Sequence, residues 1–422
     1  MFCFSRLRHL CGSLLLCTAG PLSAQQLSLA DALRRADEQN PSLHAQDSTR
    51  RAAEALIEQA GVRPNPTLDV TAENFAGTGA LRGVDSIETT VQASQTFERG
   101  GKRAKRLSVA RREREVADHE FTVRRAEVLA STVAAYIDVL AAQERLALST
   151  ASLDLARETT DAVAARVKAA VASTAESARA RAALATARAD HARAESTLTQ
   201  ARAALATIWG GTATDVTTLA GTLRMPDELP AAETLLAKLT THPRFALQQA
   251  TISSHRASLQ LAQSKNAQDI TVGGGVRFLR ENSDAGLVAG VSIPLPFRSQ
   301  NQGNIRAARE TLAGAEQATR VIDAALRASF SAAWQDLQIS RSIARDLRTD
   351  ALPATEEALA LVRHAYAQGE LPLLGVLEAQ RAHTVLRREI LDAETASASA
   401  LVRVEALTDP AFPLTTALLS SR

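Results

Sequence analysis

The chain has 422 residues, 45% hydrophobic, 22% charged and only 3% aromatic, with a formal charge of +2. So few large side chains exclude one thick globular core, and so small a charge excludes recognition of acidic or nucleic-acid partners. Abundant Ala instead suits long helices lying close together.

Residues 1–24 read as an export signal. Arg6 and Arg8 form a positive start, Leu10–Ala19 a short apolar core, and Leu22-Ser23-Ala24 offers cleavage after Ala24. Cys3, Cys11 and Cys17 all fall inside it, so the mature chain has no thiol or disulfide chemistry. Lipidation at Cys17 is the competing reading, but Leu14-Leu15-Leu16 lacks the small residue such a signal needs directly ahead of the Cys. No run of 18 apolar residues occurs, which leaves no transmembrane helix.

Asn40-Pro41 opens a helical run that ends near Arg63-Pro64-Asn65-Pro66. Two alternating stretches follow, Thr67–Phe75 and Ile87–Phe97. In the first, Leu68, Val70 and Ala72 oppose Thr67, Asp69, Thr71 and Glu73. In the second, Ile87, Thr89, Val91 and Ala93 oppose Glu88, Thr90, Gln92 and Ser94. After Gly100-Gly101, residues 102–209 are rich in Ala, Leu, Arg, Glu and Gln and poor in Gly and Pro, which predicts helix. A turn near Ala170–Thr174 divides this segment into a helical hairpin.

The plan then repeats. His242-Pro243 opens a helix to Lys265-Asn266, strands occupy 270–278 and 287–297, and a second helical segment fills 304–408. That segment kinks at Pro353 and turns between Tyr366 and Pro372. Pro41 to Leu68 and Pro243 to Ile270 both span 27 residues, the mark of an internal duplication. The domains are therefore the signal 1–24, a first repeat 25–220, a second repeat 221–410 and a tail 411–422. Hairpin arms of about 40 residues would reach roughly 60 Å.

Each strand has the length needed to cross a bilayer at a tilt, with one face in lipid and one in water. Phe75, Phe97, Phe278 and Phe297 sit at the strand ends, where an interfacial aromatic girdle belongs. Two soluble hairpins are the alternative. In lipid, four strands cannot close a barrel, so copies must pool them: eight in a dimer, twelve in a trimer. Inward candidates Thr271, Gly273, Gly275, Gly290 and Ser292 are small or polar, fit an open lumen and favour the trimer.

Several motifs resemble the TolC-type outer-membrane efflux proteins, from about Leu27 to Pro410. They are Leu27-Ser28-Leu29-Ala30-Asp31-Ala32-Leu33, Asn40-Pro41, Gly61-Val62-Arg63-Pro64-Asn65-Pro66 and Tyr366-x-x-Gly369. Two more, Gln95-Thr96-Phe97-Glu98-Arg99-Gly100-Gly101-Lys102-Arg103 and the Pro294–Ile305 stretch, are similar to strand exits of the cobalt–zinc–cadmium efflux branch. The resemblance implies a mainly α fold with a small membrane β part. Helical hairpins would form an α-barrel tunnel in the periplasm, and a homotrimer would build a twelve-stranded barrel in outer-membrane lipid. It also implies a periplasmic adaptor and an inner-membrane pump of the resistance-nodulation-division class as partners, with heavy-metal cations as cargo. The rivals are a drug or polypeptide cargo, and a periplasmic coiled-coil adaptor of a different class.

The family narrows its tunnel with acidic residues six and nine positions after each tip glycine. From Gly369 this implies Gly375 and Glu378; from Ala170, which stands at the glycine position, Glu176 and Arg179. Glu176 and Glu378 are thus the constriction candidates, and Ala170, Tyr366 and Gly369 mark the tips. Ala170 is expected to turn without entering positive φ. The alternative for both carboxylates is a solvated helix surface, paired with Arg179 or Arg381.

The basic run Arg99–Arg114 fits either lipid headgroups below the barrel or a plain helix start, and it lacks the interleaved aromatics of a nucleic-acid site. The histidines show no i,i+4 pair, so no metal site or cofactor is implied. Neither a phosphate loop nor a hydrolytic motif occurs, which argues against an enzyme.

Overall fold

A computed structural model describes residues 26–223 and 228–420. The signal reading, with Ala24 and the three cysteines, lies outside the described residues. Helix starts follow their local chemistry. Ser28 Oγ accepts the Asp31 N–H at 3.1 Å to cap α1 (Leu29–Gln39). Asn40 Oδ1 accepts the N–H groups of Ser42 and Leu43 at 2.9 and 3.2 Å, and Pro41 opens α2 (Pro41–Gly61). There follow β1 (Thr67–Glu73), β2 (Glu88–Phe97), α3 (Lys102–Lys168), α4 (Thr174–Thr207), α5 (Ala232–Lys238) and α6 (Pro243–Ser264). Then come β3 (Ile270–Leu279), β4 (Asp284–Ser292), α7 (Gln302–Asp346), α8 (Leu352–Gln368), α9 (Leu373–Thr408) and α10 (Pro413–Ser420).

The two hairpins differ more than their sequences foretell. With no Gly or Pro inside it, α3 runs unbroken for 67 residues, about 100 Å at 1.5 Å per residue, well beyond a 40-residue arm. The descending arm of the second hairpin is interrupted by a five-residue π-helical segment, Leu347–Ala351, between α7 and α8. Pro353 follows one residue later. A proline lacks an N–H and its ring crowds the carbonyl one turn back, and a widened turn relieves both. The irregular turn thus lies ahead of the proline that marks the expected kink.

The sheet has the order β1-β2-β3-β4 and is antiparallel throughout, so β2 and β3 join the two strand pairs. Its register sets Val70, Val91, Val276 and Leu287 side by side. Strand parity then gives one wholly uncharged face, which also carries Leu68, Ala93 and Val291. The other face carries Thr67, Asp69, Gln92, Ser94, Gly273, Gly275, Gly290 and Ser292, so the inward candidates lie together.

Two strand boundaries need correction. β1 stops at Glu73 rather than Phe75, because Asn74 and Ala76 turn into the left-handed region at φ 58° and 57°. β4 covers Asp284–Ser292 rather than 287–297, since Pro294 and Pro296 have no N–H to donate to a ladder. Phe75 and Phe297 therefore stand beyond strand ends, on irregular backbone, whereas Phe97 and Phe278 lie within β2 and β3 on the uncharged face.

The main core sits midway along the stalk, where α1, the middle of α3, the end of α4 and the C-terminal residues meet around Val133, Ile137, Leu205, Trp209 and Phe412. Within it the Tyr136 hydroxyl lies 2.9 Å from Leu27 O and 2.5 Å from Ala220 O, and burial pushes the phenol up to about 12. An 18-residue window of α3 reaches a mean hydropathy of 1.2, yet half of it is buried, as a core helix requires. The C-terminal stretch is more than a tail. Buried Glu405 on α9 accepts the N–H groups of Leu414 and Thr415 at 2.7 and 2.9 Å and the Thr415 hydroxyl, which pins the start of α10.

Candidate functional site

Both tips of the stalk close the same way. After α3, the Val171 N–H reaches Arg166 O at 3.0 Å and the Ala170 N–H reaches Val167 O at 3.0 Å. After α8, Glu370 reaches Ala365 O at 2.9 Å and Gly369 reaches Tyr366 O at 3.0 Å. This is the paired closure in which the residue past the helix is left-handed. Gly369 takes φ 84° freely. Ala170 takes φ 60°, contrary to the expectation that it turns without positive φ. The hydrogen bonds and the hairpin around it hold it there, against a cost of about 1 kcal/mol relative to glycine.

Ser173 Oγ then accepts the Glu176 N–H at 3.2 Å, which places Glu176 in the first turn of α4 beside the positive end of that helix. Glu378 lies on α9, exposed, and Gly375 packs near Val362. Among the described residues, no salt bridge joins Glu176 to Arg179 or Glu378 to Arg381. The tips meet in a small core of Val163, Ala180, Tyr366, Leu373 and Val376.

Arg166 links the two hairpins there, a role that sequence reasoning missed. Its Nη1 donates to Tyr366 O at 3.0 Å, and its guanidinium lies 4.7 Å from the centre of the Tyr366 ring. Burial raises the Tyr366 phenol, Arg166 opposes that, and the Glu176 carboxylate adds to it, which places Glu176 within electrostatic reach of the tyrosine. Nothing local in the sequence marks Arg166, because its partner lies 200 residues away.

Where the sheet joins the stalk, the basic run is spent on the chain's own acceptors. Lys102 Nζ lies 2.8 Å from Asp269 Oδ1, which also accepts the Arg99 N–H at 3.0 Å. Arg106 pairs with Glu98, Arg103 donates to Gly61 O at 2.5 Å, and Arg114 lies 2.9 Å from Glu54. These contacts tie α3 to α2 and to the foot of β3, so much of the run serves the joint. His242 has a structural task as well: its Nδ1 accepts the Arg244 N–H at 3.1 Å at the start of α6. Among the described residues, no three His, Cys, Asp or Glu side chains are placed to share a metal ion.

An antiparallel sheet with one uncharged face, mounted on a stalk of long hairpins, narrows the comparison to membrane channels. The outer membrane efflux protein family profile matches residues 32–211. The cobalt-zinc-cadmium resistance protein CzcC of Cupriavidus metallidurans is 31% identical over 359 residues, which span 85% of this chain and 84% of that one. The chain belongs to the outer membrane efflux protein family. The nickel-cobalt-cadmium resistance protein NccC of Alcaligenes xylosoxydans is 28% identical over 278 residues, 65% of this efflux protein and 62% of the relative. Among solved structures, CusC superposes with a TM-score of 0.73 at 16% identity, covering 90% of this chain and 91% of that one. VceC of Vibrio cholerae gives 0.73 at 17%, covering 90% and 96%.

The efflux protein is therefore an outer-membrane channel with a periplasmic helical tunnel, and it is not an enzyme. The four strands are its membrane part, and their uncharged face is the one suited to lipid.

Proposed function

We propose that three copies of this efflux protein form the passive exit duct of a tripartite system for heavy-metal cations. A resistance-nodulation-division pump in the inner membrane supplies the energy, a periplasmic adaptor joins pump and duct, and residues 1–24 direct export. The observation that carries the reading is the open sheet. β1 and β4 each offer an unpaired main-chain edge, which hydrocarbon does not tolerate. Pairing β4 of one copy with β1 of the next closes the ring, and twelve strands leave a lumen where eight would fill it.

At the far end, Glu176 and Glu378 form the constriction. Three copies of each around a common axis present a ring of carboxylates that attracts divalent cations. Phe97 and Phe278 serve as interfacial anchors on the lipid face, with Phe75 and Phe297 on the flanking segments. The cargo reading is supported by the metal-resistance names of the related proteins.

Three measurements test this. The mass of the detergent-solubilised protein should be that of a trimer; a stable monomer or dimer refutes the duct. Deleting the gene should raise sensitivity to cobalt, zinc or cadmium more than to antibiotics; the reverse pattern refutes the cargo. Glu176→Gln with Glu378→Gln should weaken divalent-cation block in planar bilayers; unchanged block removes the constriction role.

A further inference from the structure

Arg277 lies on β3, on the polar face of the sheet, one parity step beyond Gly275. Its guanidinium spans three strands. Nε donates to Thr90 Oγ1 at 3.0 Å, Nη1 to Glu88 Oε2 at 3.0 Å, and Nη2 lies 3.6 Å from Glu73 Oε2. Asn74 Nδ2 donates to the other Glu88 oxygen at 2.9 Å, so that carboxylate is held on both sides. The ladder places Glu73, Glu88 and Asp284 in one row beside the hairpin turns, and Arg277 in the row below. These rows are at the end of the sheet remote from the stalk, which is the outward end of the pore.

Every charged residue within the four strands falls on this same face: Asp69, Glu73, Glu88 and Asp284 against Arg277. The lipid face has none. In a closed ring of three chains, twelve carboxylates would face three guanidinium groups across the lumen. Two of the four carboxylates in each chain are paired to Arg277, and the others have no cation on the strands to meet. Behind them the wall is small: a Cβ on Gly273 would stand 2.3 Å from the Gln92 amide nitrogen, so Gln92 lies across the glycine.

We infer that Arg277 sets the ion selectivity of the outward end of the pore, by neutralising part of a carboxylate-lined lumen that favours small inorganic cations over anions. It is a specificity-determining residue and takes no part in the periplasmic constriction. The inference rests on the proposed ring of three chains, since only a closed sheet turns this face into a lumen. An uncompensated charge acts on a permeating ion across the lumen, weakened by salt over a Debye length of about 10 Å at 0.1 M and about 3 Å at 1 M.

The test is the reversal potential of the full-length channel in planar bilayers under a potassium chloride gradient. R277Q should raise the cation-to-anion permeability ratio by about twofold near 0.1 M salt, and much less near 1 M. R277K, which keeps the charge without the fork of donors, should stay near wild type. E88Q, which leaves Arg277 in place, should lower the ratio. An unchanged ratio in R277Q overturns the inference, and so does R277K matching R277Q, because the effect would then come from strand register. If R277Q does not assemble, an unchanged ratio in E88Q overturns it equally. Wild-type protein that forms no channel sinks the proposed duct itself, whereas wild-type channels with unmoved variants sink this inference alone.

Discussion

Replacing Arg166 with Ala should loosen the joint between the two tips of each chain. The side chain contributes one charged hydrogen bond, at 3.0 Å to Tyr366 O, and one cation–π contact, at 4.7 Å to the ring centre. Such a hydrogen bond contributes about 1.5–3 kcal/mol and such a contact about 0.5–2 kcal/mol. Against them stands the rotamer freedom that a fixed arginine gives up, about 2 kcal/mol. The difference, about 0–3 kcal/mol and centred near 1.5 kcal/mol, corresponds at that centre to roughly a tenfold shift between joined and parted tips. Amide hydrogen exchange on the detergent-solubilised channel reads this directly. Exchange over residues 163–171 and 365–371 should quicken together by about fivefold or more, because the opening is shared. The main core around Tyr136 should stay unchanged. Arg166→Lys, which keeps the charge but loses the planar fork, should fall between. Exchange in Arg166→Ala that matches wild type at both tips would falsify the claim that this residue couples them.

Three further outcomes follow from particular contacts. A Cβ on Gly275 would stand 2.2 Å from Val91 O, so Gly275→Ala should abolish the assembled form in detergent, whereas Gly286→Ala, which meets open space, should assemble normally. Glu405→Ala strips the acceptor from two N–H groups and a hydroxyl, and each buried donor left unmatched costs about 1–3 kcal/mol. Proteolysis should then release the C-terminal helix early, and unchanged resistance would contradict the pinning role. Burial opposes ionisation of Asp269, but hydrogen bonds from Lys102 and the Arg99 N–H outweigh it and hold the carboxyl below its usual range. Its contribution is therefore present above the ordinary Asp value of about 3.9 and lost as pH falls through the lower folded value. Asp269→Asn should flatten that acid limb in a circular-dichroism titration; an unaltered limb would count against it.

Much of this architecture is legible without coordinates, because period-two alternation and helix-forming composition are local signals. Leu68 and Val70 share a face by parity alone, and Gly369 marks a turn by its conformational freedom. The same parity reaches Arg277, two residues past the last inward candidate on β3, yet its partners on β1 and β2 emerge only from the register. Other features are hidden for a physical reason. Ala170 adopts a conformation its side chain disfavours, because tertiary contacts outweigh a small local cost. Phe297 loses its place at a strand end to two prolines whose effect on the ladder depends on where β4 begins. Arg166 with Tyr366 and Glu405 with Thr415 depend on distance in space, which no local pattern encodes.

The unequal construction of the two hairpins has a mechanical consequence. One descending arm is a continuous 67-residue rod; the other is jointed at Leu347–Ala351, where the wider turn leaves the backbone ladder less regular. A load applied at the foot would bend the jointed arm first and leave the rod upright. Any widening of the mouth would then be a swing of the second hairpin about that joint, with the first serving as the frame.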